Sequence, residues 1–507
     1  MSEWQKAHWH PEQSRRIVAR IVVEGDLTLQ SPAHFGNGDQ DDLTDMPLLT
    51  DLRDGKTPLL PGASVAGALR SFLRTCEQGY LAGVPRYDDF ADPAGFRAAQ
   101  QREWNSLERQ LFGGFGIEET GGERRQLSEQ SSLIVEDAFG RHHHIERRHG
   151  VKLDKATRTA EDKKLFDTQL WAAGTTFPLR LELVIRHGDD ANALKQALVI
   201  ALGGFSDGHI TLGARKRRGY GAVQVTQWRV RQYDLHNPQH LCDWLENGPE
   251  SLPHNTAVAD LPTALDVTQP LIDARRAFHL RATFALDGSL LIRAEGRSSS
   301  VADFVHLQAR QADGQEMPIL SGTSLAGALR ARAAKIANTI GTPERAKAMI
   351  DRLFGPEMDG ARTTPKASRL LVRETAIDRG VADLVQNRVS IDRFTGGARD
   401  TALFNEQPVW GKPETTITMD LRLLNPKDAD VGLLLLLLKD LWTGDLPLGG
   451  ESSVGRGRLK GKEATLTLGE TVWQIEDDNG RLQFSGNGSQ AELQDKYLQA
   501  FLEEVGQ

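Results

Sequence analysis

The chain is short of everything that staples a protein or anchors it. Its two cysteines, Cys76 and Cys242, lie far apart among 507 residues, so no disulfide framework is expected. No apolar run reaches the length of a membrane span. The longest, Leu433 to Leu438 between Gly432 and Lys439, reads as a buried helix segment. Met1-Ser2-Glu3-Trp4-Gln5 lacks the charged-then-apolar pattern of a secretory signal. These absences point to the cytoplasm and away from a membrane partner. No Walker loop and no spaced zinc pattern occurs. The adjacent His142, His143 and His144 have no spaced acid or cysteine to complete a metal site and read as a polar stretch.

An excess of positive charge is also missing, since the formal net charge is −8. Taken as a sum, that argues mildly against nucleic acid. The distribution matters more. Arg215-Lys216-Arg217-Arg218 is an unbroken basic run, and Arg141, Arg147, Arg148, Lys152 and Lys155 follow one another with Glu146 and Asp154 between them. Acids collect elsewhere, at Asp39, Asp41, Asp42, Asp45, Asp51 and Asp54. A basic track on an acidic body fits that pattern, as does a set of solvated faces.

Length predicts two or three domains, and self-comparison decides how they are arranged. Pro61-Gly62-Ala63-Ser64-Val65-Ala66-Gly67-Ala68-Leu69-Arg70 returns as Ser321-Gly322-Thr323-Ser324-Leu325-Ala326-Gly327-Ala328-Leu329-Arg330, an offset of 260. Leu111-Phe112-Gly113 returns at Leu353, offset 242, and Leu133-Ile134-Val135 at Leu370, offset 237. Val151, Asp154, Thr157, Leu165, Phe166 and Gln169 return at Val389, Asp392, Thr395, Leu403, Phe404 and Gln407, offset 238. Gly213, Gly219 and Gly221 return at Gly449, Gly455 and Gly457, offset 236. Five blocks in one order make the chain a duplication, with module one at residues 1–232 and module two at 276–467. Residues 233–275 carry Asn237-Pro238, Gly248-Pro249, Pro253 and Pro262 and read as a linker or inserted flap. Residues 468–507 form an appendix ending in a helix over Ala491 to Val505.

Within module one, β-branched Ile17 to Leu29 reads as a strand. Ser64 to Glu77 reads as a helix that Ser64 can cap, with Val65, Leu69, Phe72 and Leu73 on one face. Ser132 to Ala138, Phe177 to Ile185 and Tyr220 to Val230 read as strands and Asn192 to Leu202 as a second helix. Module two repeats the series over Phe278–Phe284, Ser324–Ile340, Ser368–Val372, Thr415–Leu423, Val431–Leu438 and Leu459–Leu468. The expected class is α+β: two tandem ferredoxin-like or RRM-like units, β-α-β-β-α-β, with long insertions.

These blocks resemble the RAMP superfamily, in particular the backbone subunits of type III CRISPR effectors, and the fusion resembles the multi-module proteins of type III-D-like effectors. Four features carry the likeness: the PG-S-x-x-G-x-x-R turn, the LFG followed by a strand, the V-x-[LI]-D-[KR]-x-T segment and the glycine loop. Module two departs with Ser321 where module one has Pro61. The resemblance implies a subunit bound to guide (CRISPR) RNA, to single-stranded target RNA and to other effector subunits. The family's thumb hairpin would be the Val151 and Val389 segments, with Asp154-Lys155 and Asp392-Arg393 at its base and the basic residue on RNA.

Candidate RNA contacts follow from simple chemistry. Glycines let backbone N–H groups approach phosphate, which singles out Gly219 and Gly455, with Arg215, Lys216, Arg217 and Arg218 adding charge in module one and Arg456 in module two. Gly62 and Gly322 open helices whose free N–H groups favour an anion. Ser64 and Ser324 either cap those helices or touch phosphate, and Arg70 and Arg330 lie two turns further on. Lys155 and Arg393 complete the set.

For catalysis, the shared acid nearest the PG/SG turns, Asp54-Gly55 matched to Asp313-Gly314, is explained by its turn. The next shared acid is Asp45, matched to Asp303. Asp45, in Thr44-Asp45-Met46-Pro47, stands where the family's cleaving aspartate stands. The resemblance implies Mg²⁺ held by Asp45 and Asp303 near the scissile phosphate. Two other readings stand beside an RNA-guided endoribonuclease: a non-cleaving scaffold, and a guide-processing ribonuclease, for which His34 has no module-two counterpart. No HD or GGDD motif occurs, so the chain is not the family's large signalling subunit.

Overall fold

A computed structural model of the chain describes residues 16–36, 47–80, 105–120, 123–153, 160–253, 257–295, 302–357, 366–478 and 480–506. Module one is built on β1 (Ile17–Leu29), α1 (Gly62–Gln78), β2 (Leu133–Val135), the hairpin β3 (Ile145–Leu153) and β4 (Ala160–Trp171), β5 (Thr176–Arg186), α2 (Ala191–Ser206) and β6 (Trp228–Asp234). Its antiparallel sheet runs β6-β1-β5-β2. That is the ferredoxin-like order, fourth, first, third, second strand. The closing strand lies later than Tyr220–Val230. Val223–Gln224 pairs with the end of β1, and the main ladder forms only from Trp228.

The linker contributes α3 (Pro238–Asn247). Module two repeats the plan with β7 (Ala277–Asp287), β8 (Phe304–His306), α4 (Gly322–Ile340), β9 (Leu370–Val372), the hairpin β10 (Gln386–Ile391) and β11 (Ala398–Gln407), β12 (Thr416–Leu424), α5 (Asp428–Trp442) and β13 (Arg458–Leu468). The sheet order β13-β7-β12-β9 is the same. Two tandem ferredoxin-like modules are therefore present. Residues past 468 do not stand apart: β14 (Thr471–Asp478) and β15 (Arg481–Gly486) extend the sheet beyond β13.

Alternation shows where each sheet is covered. Along β5, Phe177, Leu179, Leu181 and Leu183 are buried against α1 and α2. In the middle of β1, however, Ile21, Val22 and Val23 are all buried. Consecutive residues of a strand point to opposite faces, so both faces of that sheet are covered. The second cover is the linker. Trp244 of α3 lies under the Arg20 guanidinium, 4.7 Å from its ring centroid, and edge-on to Tyr233 at 4.9 Å. The Tyr233 hydroxyl donates to the Pro249 carbonyl at 3.0 Å.

The leucine run does form a buried helix segment. α5 is buried nearly all round because the C-terminal helix α6 (Gln499–Val505), with the turn Leu493–Leu498 before it, lies across it. Gly432 makes this approach possible, since a Cβ there would collide with the Tyr497 carbonyl. Module one has Leu194 at the corresponding place. Phe501 and Tyr497 of this C-terminal segment are fully buried in the core of module two. Replacing Phe501 with Ala should destabilise module two by about 3–5 kcal/mol through the cavity it leaves. The denaturation midpoint should fall, with amide exchange in α5 rising more than in α2; equal exchange in both helices would contradict the packing.

Candidate nucleic-acid interface

α1 and α4 each begin at the glycine of the repeated turn. Neither Ser64 nor Ser324 is the cap. Pro61 holds the N-cap position of α1 without a side-chain bond. In α4 the cap is Ser321, whose hydroxyl accepts from the Ser324 N–H at 3.3 Å. A capping serine therefore stands where module one has proline, and the departure from the repeat has a physical use. Ser64 remains exposed in the first turn of α1.

The two helix N-termini differ in what meets them. The Gly62 N–H donates to the Asp137 carboxylate at 2.7 Å. At Gly322, where a Cβ would collide, the neighbour is the Arg218 carbonyl of module one. Gly219 sits equally close to module two: a Cβ on it would lie 2.6 Å from the Glu374 nitrogen. Arg215 and Gly219 both adopt left-handed backbone, at φ 53° and 93°, around the single turn Lys216–Arg218. The glycine loop of one module is thereby seated on the helix N-terminus of the next.

This seat gathers the basic run. Arg215 stacks on Phe166 of the first thumb at 4.6 Å. Lys216 and Arg218 are exposed, yet partial desolvation pushes both below their ordinary pKa, and Arg215 and Arg330 push Arg218 in the same direction. Burial also lowers Arg217. Cations crowded without an ion-pair partner among the described residues are poised to gain from a phosphate. Arg330 lies near this group and 3.7 Å from Asp351 and from Glu357. Arg70 is elsewhere, bonded to Glu108 and, at 3.2 Å, to the Gly113 carbonyl.

Beneath the seat is an ion pair the repeats did not single out. Arg148 of the first thumb bonds Glu374 of module two, at 3.0 Å in the longer contact, with both side chains only 6% exposed. Glu374 and Asp137 follow the repeated strand at the same offset, 237, so a paired acid was there to be read.

The glycine loop of module two is built differently. Arg456 is buried, 3.2 Å from Glu406 and 3.0 Å from Glu451, and donates to Gln386 at 2.6 Å. Arg293 and Arg388 join the same two carboxylates. Burial and the adjoining Glu451 push Glu406 up. Arg456 is thus occupied within its own module, and Gly455 closes that turn at φ 90°.

In the second thumb, Asp392 accepts from the backbone N–H groups of Phe394 at 3.0 Å and Thr395 at 2.9 Å. The D-[KR]-x-T segment is an Asx turn, and it forms the hairpin tip, not its base. Arg393 is exposed there beside Phe394, which is 99% exposed. Asp154 and Lys155 lie outside the described residues, as does Asp45. Asp303 is exposed beside β8, and its carboxylate accepts from the Asn405 N–H of the second thumb at 2.9 Å. His306, where module one has Leu48, is buried, with Nε2 donating to the Ile319 carbonyl at 2.9 Å and Nδ1 accepting from the Ile292 N–H at 3.2 Å; burial lowers it to about 4. His34 is buried on the Gln169 carbonyl. Among the described residues no group of three or more His, Cys, Asp or Glu could hold a metal ion. No helix there is long and apolar enough to cross a membrane.

The two modules thus share one sheet order, a glycine loop and a strand hairpin. The RAMP superfamily model matches residues 26–224 and 298–460, more than half of the chain. This chain is a double-module RAMP superfamily protein. Membership points to an RNA-binding, CRISPR-associated subunit. No curated protein matches the chain.

The module junction also titrates. His209 faces Arg422 at 2.7 Å, Arg275 and Arg373, and burial together with those cations, against the opposing pull of Asp273, lowers it to about 4. Its unfolded value is near 6.5. Between these values the unfolded chain takes up a proton that the folded chain refuses. Stability should therefore be full above pH 6.5 and fall as pH drops towards 4. His209→Gln, which cannot titrate, should reduce that fall in denaturation midpoints; an unchanged slope would contradict the placement. Arg148→Ala, leaving Glu374 buried without its partner, should cost about 3–5 kcal/mol at the junction. Amide exchange at 215–219 should rise with it.

Proposed function

We propose that this protein is the backbone subunit of an RNA-guided effector of the type III kind, which binds a guide RNA and cuts the paired target. The observation that carries this reading is the seat at the junction. A basic glycine turn of one module, resting on a helix N-terminus of the next, makes a continuous surface for an RNA backbone. Two thumbs then mark equivalent places along one duplex. Sequence choice falls to base pairing rather than to side chains, as expected for a guided complex.

Cleavage is assigned to Asp45 and, in module two, Asp303. One carboxylate can hold Mg²⁺ when water and phosphate oxygens supply the other ligands. Bound there, the ion would stabilise charge on the scissile phosphate and favour a 2′-oxygen nucleophile. The exposed carboxylate of Asp303 fits that requirement. Its bond to the Asn405 N–H favours a second reading for module two alone, in which Asp303 braces the thumb and the module is a spacer.

Fragment mapping of a guide-matched target separates these. Two cuts at fixed spacing are expected, with Asp45→Ala erasing one and Asp303→Ala the other, each by at least about 100-fold, on the scale set by loss of a metal-organising group. One cut untouched by Asp303→Ala leaves module two as the spacer. Two cuts surviving the double variant would remove the mechanism. Separately, neutralising Arg215, Lys216, Arg217 and Arg218 should weaken binding whatever the sequence. The salt dependence should flatten by about 0.7 in log–log slope for each phosphate that the protein no longer neutralises. An unchanged slope would make the run a solvated face.

A further inference from the structure

The first thumb sets a histidine and a carboxylate face to face across its hairpin. His149 on β3 and Asp167 on β4 are register partners. The His149 Nδ1 lies 2.5 Å from an Asp167 carboxylate oxygen, and the two side chains are 34% and 38% exposed. An ionised carboxylate only accepts, so Nδ1 carries the proton and the basic lone pair falls to Nε2. Consecutive residues of a strand point to opposite faces. Arg148 and its partner Thr168 are buried on the face that meets Glu374. The other face bears Arg147, His149 and Val151, all exposed.

Module two shows what lies beside these positions. The repeat carries His149 to Asn387 and Asp167 to Asn405, both at offset 238. Asn387 and Asn405 are again register partners. On the other side of β11, Phe304 pairs with Glu406, and the Asn405 N–H donates to the Asp303 carboxylate at 2.9 Å. Positions 303, 405 and 387 therefore form one row across three neighbouring strands, with the candidate metal-holding carboxylate at one end. In module two the rest of the row is two amides, which neither take up nor release a proton. In module one it is an imidazole oriented by a carboxylate, with an arginine two residues before it on the same strand face.

We propose that His149 is the proton acceptor for cleavage at module one, with Asp167 as its positioning residue, and that module two cuts without such a group. This rests on the reading of the chain as a ribonuclease and adds which side chain takes the proton. The target 2′-hydroxyl gives its proton to the His149 Nε2 as the 2′-oxygen bonds to phosphorus. The bond from phosphorus to the 5′-oxygen breaks, and its electron pair leaves with that oxygen. The leaving oxygen takes a proton from water, and the hydroxide so formed takes the imidazolium proton. The products are a 2′,3′-cyclic phosphate and a 5′-hydroxyl, with no co-reactant consumed. Arg147 would meet the negative charge that builds on the phosphate oxygens.

A cross-strand pair that only held the hairpin together would show the same geometry, so the test needs a readout that hairpin stability does not move. The rate of each cut in a guide-matched target is measured in the assembled effector. His149→Ala should slow the cut that survives Asp303→Ala by at least about 100-fold, on the scale of lost general-base catalysis. The other cut should keep its wild-type rate. His149→Asn should act alike while keeping the hairpin, since module two already carries an amide at this place. Added imidazole should restore part of the rate to His149→Ala, whose site is open to solvent, and none to Asp303→Ala. Asp167→Asn should slow the same cut, because its amide can donate to Nδ1 and fix the wrong tautomer. Two cuts at wild-type rate in His149→Ala would overturn the proposal and leave cleavage itself standing. An equal loss at both cuts, or a loss that imidazole does not restore, would make His149 a structural group and overturn it as well. A wild-type complex that cuts nowhere would remove the ribonuclease reading, and this inference with it.

Discussion

The turn Arg215–Gly219 can rest on module two only because positions 219 and 322 carry no side chain. A methyl group at either would strike backbone of the other module, and backbone cannot step aside as a side-chain end can. Around that contact the rest is arranged. Left-handed residues at 215 and 219 aim the turn, Phe166 steadies its first arginine, and Arg148–Glu374 locks the thumb beneath it. A buried ion pair adds little net stability because desolvation offsets attraction. Its stronger effect is to make wrong registers costly, since a slipped register would leave a buried charge alone. The pair is best understood as setting how the two modules align.

Alignment is what gives a duplicated RNA-binding unit its use. Two identical modules on a loose tether would each bind RNA, but their relative position would vary. Here the glycine loop of the first and the helix N-terminus of the second form one surface, so bound RNA would feel both modules in fixed relation. The cations on that surface carry pKa values already lowered by burial and by one another. A phosphate there would replace lost water and relieve like-charge crowding together. The second glycine loop balances Arg456 against Glu406 and Glu451 internally.

Much of this was legible in the sequence. Order-preserving offsets located the modules, and alternation at Phe177–Ile185 together with the Leu433–Leu438 run located sheet and helix. What failed, failed for local reasons. Ser64 satisfies the composition of a cap, but Pro61 supplies extended backbone one turn earlier, so the helix starts at Gly62. Asp392 has the look of a hairpin base, but its bonds to the Phe394 and Thr395 N–H groups make it the tip. Arg456 copies the glycine-loop chemistry in sequence, yet Glu406, fifty residues earlier, draws it inside. Long-range partners such as Arg148 and Glu374 follow from how the modules stack, and periodicity within one module carries no trace of that. Of the candidate site residues, the basic run and Gly322 lie against each other across the junction, Asp303 accepts from the Asn405 N–H, and Asp45 and Lys155 fall outside the described residues.

The central claim is that RNA is held across the junction, not by either module separately. Ultraviolet crosslinking of bound guide RNA, with the crosslinked peptides and nucleotides both identified, tests it most directly. The account predicts that one short stretch of RNA crosslinks to residues 213–221 of module one and to residues 321–330 of module two. Crosslinks confined to one module, or reaching the two from stretches far apart in the RNA, would contradict it.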